Sequence, residues 1–296
     1  MVAPVITLSG QRELFVPLGS TLKDPGATAQ DDADGDLTAA IRRAGTVDTS
    51  VPGVYTLTYT VSDKAGNTAS ATRQVSVYEN TATGSSPVYL TFDDGPSKTT
   101  PAVLDALNAA GVKATFFVVA TGYNEKYLPL IADAAAAGHQ IALHSASHDY
   151  SDIYQSADAY WQDIELLKER ISPYVNTASL HYLRFPGGST NTVSHRYGGR
   201  QIMQQLKAQA EQKGYAWIDW NVCAEDATAS HPDAAQILRN IRRDADGQDT
   251  CVVLLHDTKA TGQTVKALPD MIAYFREQGY NFCTVAQMDA LQCETK

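Results

Sequence analysis

The sequence predicts an α/β fold, a distorted (β/α) barrel of about seven parallel strands that is preceded by a small all-β sandwich. Three observations lead to this prediction. Strand-like apolar runs alternate with helical segments from residue 88 onwards, the first 80 residues show strand patterns without a sustained helical period, and a short polar segment lies between them. We therefore divide the chain into an N-terminal module (1–80), a linker (81–87) and a larger domain (88–296).

The N-terminal module carries the alternation that is typical of half-buried β-strands. Tyr55, Leu57 and Tyr59 alternate with threonines, and aromatic and β-branched residues favour strands. The turn-forming residues 63–67 and the following run, Thr72–Tyr78, predict a hairpin. Four segments resemble the immunoglobulin-like modules of bacterial surface proteins: Asp24-Pro25-Gly26-Ala27, Asp34-Gly35-Asp36-Leu37, Pro52-Gly53-Val54-Tyr55 and Ser62-Asp63-Lys64-Ala65-Gly66-Asn67-Thr68. This resemblance implies an immunoglobulin-like sandwich that serves as an extracytoplasmic spacer or binding module.

The net charge and the apolar content of the sequence exclude some classes of binding partner. The chain has 296 residues and a formal net charge of −10, so we expect no nucleic-acid partner and no binding to an anionic membrane surface. No apolar run approaches the ~20 residues that a membrane span needs. The N-terminus leads directly into a strand pattern and shows no signal peptide. We expect a monomer that is secreted or held at the cell surface or cell wall, with its signal or anchor segment outside these 296 residues.

The cysteines leave two interpretations open. All four lie in the last quarter of the sequence: Cys223, Cys251, Cys283 and Cys293. None has the Cys-x-x-Cys spacing of a structural zinc site. Their even number is compatible with two disulfides in an oxidising compartment, and also with four buried thiols. We favour disulfides, with Cys283–Cys293 as the expected pair because it closes a short loop.

The larger domain alternates strands with helices. Strands are expected at Val88–Phe92, Ala114–Val119, Gln140–Leu143, Tyr182–Phe185, Ala216–Asn221, Thr250–Leu255 and Asn281–Val285. Helices are expected at Thr100–Ala110, Tyr127–Ala137, Ala157–Ile171, Gln201–Lys213, Ala234–Arg243 and Val265–Gln278. This regular alternation predicts a parallel sheet that closes into a barrel. A doubly wound open sheet is the alternative, but no Gly-x-Gly-x-x-Gly turn follows the first strand, so dinucleotide binding lacks support.

Chemically reactive side chains collect at the ends of the predicted strands. They are Asp93 and Asp94 after the first strand, His144 and His148 after the third, Arg184 at the end of the fourth, Asp226 after the fifth and His256 at the end of the sixth. In a parallel barrel the carboxyl ends of the strands form one face, and the loops on this face build the active site. The sequence therefore predicts that histidines, carboxylates and an arginine meet at one site.

The two histidines of the third loop suggest a metal site. His144 and His148 are four residues apart, which would place both imidazoles on one side of a single helical turn. Together with Asp94 as an oxygen ligand they suit one divalent ion, for which zinc is expected first and cobalt or another divalent ion is the alternative. A solvated helix face is the other interpretation of such a pair. We interpret the remaining histidines as structural or surface residues: His139, His181, His195 and His231.

The other polar groups complete a hydrolytic site. A metal ion with an open position lowers the pKa of its bound water and polarises a carbonyl group. Asp93 would act as the general base toward this water, and Arg184 would keep Asp93 ionised and oriented. His256 would protonate the leaving group as the general acid. These residues together predict metal-assisted hydrolysis of an acyl bond.

Residues 86–293 resemble the polysaccharide deacetylase family, which is also called the NodB-homology family or carbohydrate esterase family 4. The matching segments are Thr91-Phe92-Asp93-Asp94-Gly95-Pro96, His144-Ser145-Ala146-Ser147-His148, Arg184-Phe185-Pro186-Gly187-Gly188, Asp226 and Leu254-Leu255-His256-Asp257. The resemblance implies nine functional residues. Three would be metal ligands, namely Asp94, His144 and His148, while Asp93 would be the base held by Arg184 and His256 would be the acid supported by Asp226. The Gly187 N–H would donate to the tetrahedral oxyanion, and Leu254 would line the acetyl pocket.

Two positions depart from the family pattern. Gly187 stands where many members carry an aromatic residue, so the backbone donor is kept but a wall of the substrate groove is lost. Ala227 stands where a tryptophan is frequent, so the acetyl pocket needs another wall. Trp217 and Trp220 are the candidates for this wall. Neither departure removes a reacting group. We therefore expect both to affect which glycan fits the site.

We therefore expect N-deacetylation of N-acetylglucosamine residues in a glycan, with bacterial peptidoglycan as the leading substrate. The surface-type module and the Arg-Phe-Pro-Gly-Gly-Ser form of the arginine segment favour a role at the cell wall. Deacetylation of chitin-type oligomers and an acetylxylan esterase activity are the alternatives among enzymes. A non-catalytic glycan-binding surface protein is the alternative from another class, and the intact Asp93, His144 and His256 argue against it.

Overall fold

The computed structural model describes residues 2–10, 12–19, 21–78 and 86–288. Two compact units are present, one within the first 78 residues and one within residues 86–288, and each is described by itself. Within the described ranges, every helix is too short or too polar to span a bilayer.

The first unit contains two small sheets. Its elements are β1 (Val5–Leu8), β2 (Glu13–Pro17), β3 (Ala27–Asp31), β4 (Gly35–Asp36), a 3-10 helix (Thr38–Ala40), β5 (Arg42–Ala44), β6 (Gly53–Ser62) and β7 (Thr68–Tyr78). One sheet has the order β1-β3-β4 and the other has the order β2-β7-β6-β5. The predicted hairpin is confirmed, because β6 and β7 pair antiparallel from end to end. Leu57, Tyr59 and Val61 are buried on one face of β6, as the alternation predicts.

The second unit alternates strands and helices along the chain. Its strands are β8 (Ser86–Asp93), β9 (Thr115–Val119), β10 (Gln140–Ser145), β11 (Tyr182–Leu183), β12 (Ala216–Trp217), β13 (Val222–Cys223), β14 (Cys251–His256) and β15 (Tyr280–Phe282). Its helices are α1 (Thr100–Ala109), α2 (Leu130–Ala136), α3 (Tyr150–Ile153), α4 (Ala157–Ile171), α5 (His195–Gly198), α6 (Ile202–Gln212), α7 (Ala234–Ala245) and α8 (Gly262–Glu277). Short 3-10 helices lie at Glu125–Tyr127, Thr177–Ser179 and Val285–Gln287.

The strands of the second unit form one curled parallel sheet, which confirms the predicted fold class. Their order is β12-β11-β10-β9-β8-β14-β13, and β15 pairs with the first residues of β8. All described pairings in this sheet are parallel. The carboxyl ends of the strands therefore lie at one end of the sheet, where the predicted site residues are found.

The run 216–221 is not the single strand that its sequence predicts, because it begins with the short β12 and leads into β13, which starts at Val222. β12 pairs with β11 at one edge of the sheet, and β13 pairs with β14 at the other. Between them the Ile218 N–H donates to the Leu183 carbonyl oxygen (3.0 Å), and the Asn221 N–H donates to the Val252 carbonyl oxygen (3.2 Å). The segment thus runs from one edge of the sheet to the other and closes it into a distorted barrel.

The side chains of β8 separate a packing face from a functional face. Leu90 and Phe92 lie in the main hydrophobic core of this unit. Thr91 and Asp93 point to the opposite face of the sheet, because successive side chains of a strand alternate. His256 of β14 lies directly opposite Asp93 in the parallel register. The pairing of two central strands therefore places these two side chains side by side.

Several helices differ from the prediction. The expected helix Tyr127–Ala137 is a 3-10 turn followed by α2, which begins only at Leu130 after Pro129. α8 begins at Gly262 and contains Pro269, so it starts three residues before the expected helix. The short helices α3 and α5 have no counterpart in the predicted pattern, because four residues are too few to show a helical period.

The described cysteines favour the thiol interpretation. Cys223, Cys251 and Cys283 are free thiols, and the last two are buried. Burial raises the pKa of the Cys283 thiol to about 11, so this group is protonated and packs as a small apolar side chain. Cys223 and Cys251 do not pair with each other, so the expectation of a second disulfide is wrong for this structure. Cys293 lies outside the described residues, but Cys283 is a free thiol, so the expected Cys283–Cys293 disulfide is wrong for this structure as well.

Candidate active site

The end of β8 supplies two adjacent carboxylates with different partners. Asp93 is the last residue of the strand and is buried. Asp94 follows with φ of 68°, a left-handed conformation that residues other than glycine rarely adopt. This turn directs the Asp93 carboxylate toward Arg184 and the Asp94 carboxylate toward two histidines.

Asp94, His144 and His148 bring three potential metal ligands together. The Asp94 Oδ1 atom lies 3.5 Å from His144 Nε2 and 3.3 Å from His148 Nε2. The three ligand atoms all lie within 4.8 Å of one another, and no second cluster of this kind occurs among the described residues. Two imidazole nitrogens and one carboxylate oxygen form a donor set that is typical of catalytic zinc sites.

His144 is held in the tautomer that a metal ligand requires. Its Nδ1 atom lies 2.7 Å from the carbonyl oxygen of Arg184. A carbonyl oxygen only accepts hydrogen bonds, so Nδ1 carries the proton and the lone pair on Nε2 faces Asp94. Burial of the ring also lowers the pKa of His144, and this keeps the imidazole neutral.

His148 reaches the cluster from a turn. His144 lies within β10, and His148 follows the end of this strand with φ of 55°. The prediction that both imidazoles lie on one side of a helical turn is therefore wrong, although the spacing does bring the two rings to a centroid distance of 5.1 Å. A strand that ends in a tight turn folds the chain back on itself, which lets side chains four residues apart face each other.

The turn that carries His148 is held by a carboxylate that the sequence patterns do not single out. Asp163 on α4 accepts hydrogen bonds from the Ser145 hydroxyl (2.7 Å), the Ala146 N–H (2.8 Å) and the Ser147 N–H (2.9 Å). The Ser145 hydroxyl oxygen in turn accepts from the His148 N–H (2.8 Å). The sequence feature that could have indicated this role is the position of Asp163, a charged residue among the apolar residues on the buried stripe of α4.

The cluster fits a divalent cation. The Asp94 Oδ1 atom is buried and has no hydrogen-bond partner. An unpartnered buried carboxylate oxygen is costly, and here it faces the unprotonated nitrogen of His144. Acceptors that face one another need a cation or a shared proton between them. A metal ion at this point would satisfy Asp94, His144 and His148 together.

Asp93 forms a buried ion pair with Arg184. The Arg184 Nη1 atom donates to Asp93 Oδ1 (2.8 Å) and also to the Thr91 hydroxyl oxygen (2.8 Å). Thr91 and Asp93 are two residues apart on one strand, so both reach the same guanidinium. The second oxygen, Oδ2, lies 3.8 Å from His144 Nε2 and therefore faces the metal-ligand cluster.

The guanidinium of Arg184 is fully buried and is held on several sides. Its Nε atom donates to the Ile218 carbonyl oxygen (2.8 Å), and Nη2 donates to the Asp219 carbonyl oxygen (3.2 Å). Its Cζ atom lies 4.2 Å from the centroid of the Phe117 ring and 5.5 Å from that of Trp220. This cradle fixes the position of the charge, and the charge in turn orients Asp93.

His256 and Asp226 form the second charged pair of the site. The His256 Nδ1 atom lies 2.8 Å from Asp226 Oδ1, and the Thr264 hydroxyl donates to Asp226 Oδ2 (2.7 Å). Burial lowers the pKa of His256, but the hydrogen bond to Asp226 and the charge of this carboxylate outweigh burial and raise the pKa to about 9. The imidazole is therefore protonated at neutral pH. Thr264 is a further residue that the sequence motifs do not indicate.

Comparison with known proteins agrees with this geometry. The family model described as polysaccharide deacetylase matches residues 80–210, and the model described as bacterial surface protein, Ig-like domain, matches residues 6–77. A putative polysaccharide deacetylase, YheN of Bacillus subtilis (strain 168), is 30% identical over 204 residues, which is 67% of this chain and 67% of that protein. The chain belongs to the polysaccharide deacetylase family.

Two further members of this family have functional names. A chitooligosaccharide deacetylase of Bradyrhizobium sp. (strain ANU 289) is 32% identical over 221 residues, which cover 69% of this chain and 91% of that protein. The catalytic domain of a peptidoglycan N-acetylglucosamine deacetylase from Eubacterium rectale has a crystal structure that is 37% identical, with a TM-score of 0.63 over 68% of this chain and 90% of that one.

The two residues expected beside the substrate lie near the polar groups. Leu254 is buried and precedes His256 by two residues on β14, so both side chains take the same face of the strand. Gly187 has φ of 78°, and its N–H makes no hydrogen bond with any described residue. This N–H is therefore free to bind an oxygen acceptor.

The two candidate tryptophans have different surroundings. Trp220 lies beside the arginine segment, because a Cβ atom added to Gly188 would lie 3.1 Å from the Trp220 ring. Trp217 packs instead against the main hydrophobic core. Trp220 therefore stays the candidate for the pocket wall, and this role remains a prediction.

Proposed function

We propose that this protein is a metal-dependent hydrolase that removes acetyl groups from N-acetylglucosamine residues of a glycan, with bacterial peptidoglycan as the leading substrate. The observation that carries the proposal is the convergence of a three-ligand cluster with two charged pairs at one end of the sheet. Family membership supports deacetylation, and the Eubacterium rectale domain is named for this substrate.

Asp94, His144 and His148 are the proposed metal ligands, and zinc is the proposed ion. Two imidazoles and one carboxylate suit zinc, while cobalt or another divalent ion is the alternative. When bound, such an ion polarises the acetyl carbonyl group and lowers the pKa of a water molecule. The protein contributes the orientation of the ligands, through the Arg184 carbonyl oxygen at His144 and through Asp163 at the turn that carries His148.

Asp93 is the proposed general base. Arg184 binds its Oδ1 atom, so Oδ2 is left to take a proton from the attacking water. The buried guanidinium compensates the charge of the carboxylate and prevents it from turning away. Asp93 is thereby kept next to the metal ligands without being one of them.

His256 is the proposed general acid. Asp226 holds Nδ1, and this leaves Nε2 to give a proton to the leaving amine. The pKa of about 9 means that the ring carries this proton at neutral pH. The Gly187 N–H would stabilise the developing negative charge on the acetyl oxygen, and Leu254 would contact the acetyl methyl group.

The organisation of the whole chain is proposed on the same basis. Residues 1–80 would form an immunoglobulin-like spacer or binding module, 81–87 a linker and 88–296 the catalytic domain. A glycan substrate at the cell wall requires a secreted or surface-held protein, and the match to a bacterial surface module supports this. We further propose that the protein acts as a monomer on an acetylated glycan.

Three alternatives from two classes compete with this proposal. A chitin-type oligomer is favoured by the similarity to the Bradyrhizobium enzyme, and an acetylxylan would be hydrolysed by the same groups at an ester bond. The other class is a non-catalytic glycan-binding surface protein. The charged pairs argue against it, because a binding protein has no need for an imidazole that is kept protonated beside a metal-ligand cluster.

Acetate release separates these possibilities. The protein, stripped of metal and then loaded with zinc or cobalt, is incubated with peptidoglycan, chitooligosaccharides and acetylxylan, and the free acetate is measured. We expect metal-dependent release that is fastest from peptidoglycan. If acetate is released faster from another of these glycans, that glycan would replace peptidoglycan as the proposed substrate. No release from any of the three by the metal-loaded protein would contradict the proposed function and favour a binding role.

A further inference from the structure

We propose that the Tyr150 hydroxyl is a second hydrogen-bond donor to the acetyl oxygen of the bound substrate, beside the Gly187 N–H. This inference rests on the proposed function and adds a residue to it. Tyr150 is the first residue of α3 and lies two residues after His148, outside the motifs that define the family resemblance.

The phenol of Tyr150 lies next to Gly187. A Cβ atom on Gly187 would lie 2.6 Å from the Tyr150 hydroxyl oxygen and 3.3 Å from Cζ. The end of the tyrosine thus occupies the space that the side chain of residue 187 would enter. Many family members carry an aromatic residue at this position. In this chain an aromatic side chain fills the same space, but it comes from a different loop.

The Tyr150 ring packs between the turn at residues 145–148, here called the metal-ligand turn, and the arginine segment at residues 184–188. Its centroid lies 5.7 Å from that of His148 and 5.5 Å from that of Tyr154, with an edge-on contact to the latter. Tyr154 donates a hydrogen bond to the Pro186 carbonyl oxygen (2.7 Å), directly before Gly187. The phenol is therefore held in one orientation by both loops whose groups would contact the acetyl group.

Two donors in this place have no acceptor. The Tyr150 hydroxyl, like the Gly187 N–H, makes no hydrogen bond with any residue in the part of the chain that the structure describes. The Tyr150 ring contacts His148 and its hydroxyl lies next to Gly187, and the acetyl carbonyl oxygen would bind at this point. A carbonyl oxygen has two lone pairs and can accept from both donors. Donors that are fixed before the reaction are effective where negative charge develops in the transition state.

A purely structural role for Tyr150 makes a different prediction, because ring packing does not need the hydroxyl group. Tyr150→Phe keeps the ring contacts with His148 and Tyr154 and removes only the donor. Tyr274→Phe is the matched control, since it removes the hydroxyl of a half-buried tyrosine on α8, which packs against the hydrophobic core. Both variants are compared with the parent protein by acetate release, metal content and thermal unfolding.

We expect Tyr150→Phe to lower kcat by about 10²-fold with KM within about twofold, because one donor to the oxyanion is lost. Metal content and thermal unfolding should equal those of the parent, and Tyr274→Phe should match the parent in every measurement. An unchanged kcat, a change in KM alone, or loss of metal from Tyr150→Phe would overturn the inference while the parent remains active. No acetate release by the parent would overturn the proposed function and, with it, this inference.

Discussion

The Arg184 guanidinium donates a hydrogen bond of 2.8 Å to Asp93 Oδ1, and both side chains are buried. The two residues are 91 positions apart in the sequence. A buried charge is tolerated only when an opposite charge and hydrogen bonds compensate it. The pair therefore links the stability of the barrel to the orientation of the proposed base.

Removal of the Arg184 cation should destabilise the folded protein. Arg184→Met leaves the Asp93 carboxylate buried without its cation, and we expect a loss of about 3–5 kcal/mol in the free energy of unfolding. The double variant with Asp93→Asn should recover part of this loss, because no uncompensated charge remains. Urea denaturation is followed by tryptophan fluorescence, which reports on the second unit because Trp161, Trp217 and Trp220 all lie there. Strictly additive effects would contradict the coupling.

Asp93→Asn alone tests the general base. Asparagine has the same shape and can still accept the hydrogen bond from Arg184, but it cannot take a proton from water. We expect kcat for acetate release to fall by about 10²- to 10⁴-fold. The metal content, measured by elemental analysis, should stay at the level of the parent because Asp94 is untouched. Turnover close to that of the parent would rule out the assigned role.

His148→Ala tests the metal site. Removal of one of two imidazole ligands leaves His144 and Asp94, which are too few to hold a divalent ion firmly. We expect the purified variant to contain little metal and to release no acetate. His231→Ala is the control, since His231 is exposed and is not part of the cluster. Equal metal content in the two variants would show that His148 is not a ligand.

Asp163→Asn tests the support of the metal-ligand turn. An asparagine cannot accept all three hydrogen bonds that the carboxylate receives, because its amide nitrogen is a donor. We expect the metal affinity to fall by about 10- to 100-fold, measured by competition with a chromophoric chelator. Asp158→Asn, an exposed change in the first turn of the same helix, should leave the affinity unchanged. If both variants bind the ion with the affinity of the parent, Asp163 does not support the turn that carries His148.

The raised pKa of His256 predicts how stability depends on pH. This pKa is about 9 in the folded protein and ~6.5 in an unfolded chain, so the folded state binds the proton more tightly. The resulting stabilisation is complete below pH ~6.5 and is lost as the pH rises to about 9. The slope in this window is about 1.4 kcal/mol per pH unit.

The measurement is urea denaturation of the metal-free parent and of His256→Gln between pH 6 and pH 10. The difference in unfolding free energy between them should be largest at the acidic end and should shrink as His256 loses its proton. Parallel curves across this range would mean that the folded state does not raise the pKa of His256.

Several parts of the site were predictable because they depend on local sequence. Asp93, His144 and His256 each come at or near the end of an apolar run, and the carboxyl ends of parallel strands share one face. The partners of these residues were harder to predict. Thr91 reaches Arg184 only because it shares the face of Asp93, and Asp163 reaches the metal-ligand turn only because α4 packs beneath it.

Two expectations were wrong for the same kind of reason. The spacing of His144 and His148 suits a helical turn, yet the first residue belongs to β10, whose pairing with β9 overrides the local pattern. The run 216–221 has the length and composition of one strand, yet each end pairs with a different edge of the sheet. Local pattern does not specify which strand a segment pairs with.

The sequence by itself determined the order of the elements, the fold class and the kinds of reacting group at the strand ends, because these follow from periodicity and from short motifs. Only the tertiary structure decided which group faces which. The tautomer of His144, the buried cradle of Arg184 and the approach of Tyr150 to Gly187 all depend on contacts between residues that are distant in the chain. Such contacts arise from the packing of whole elements, and no local pattern encodes them.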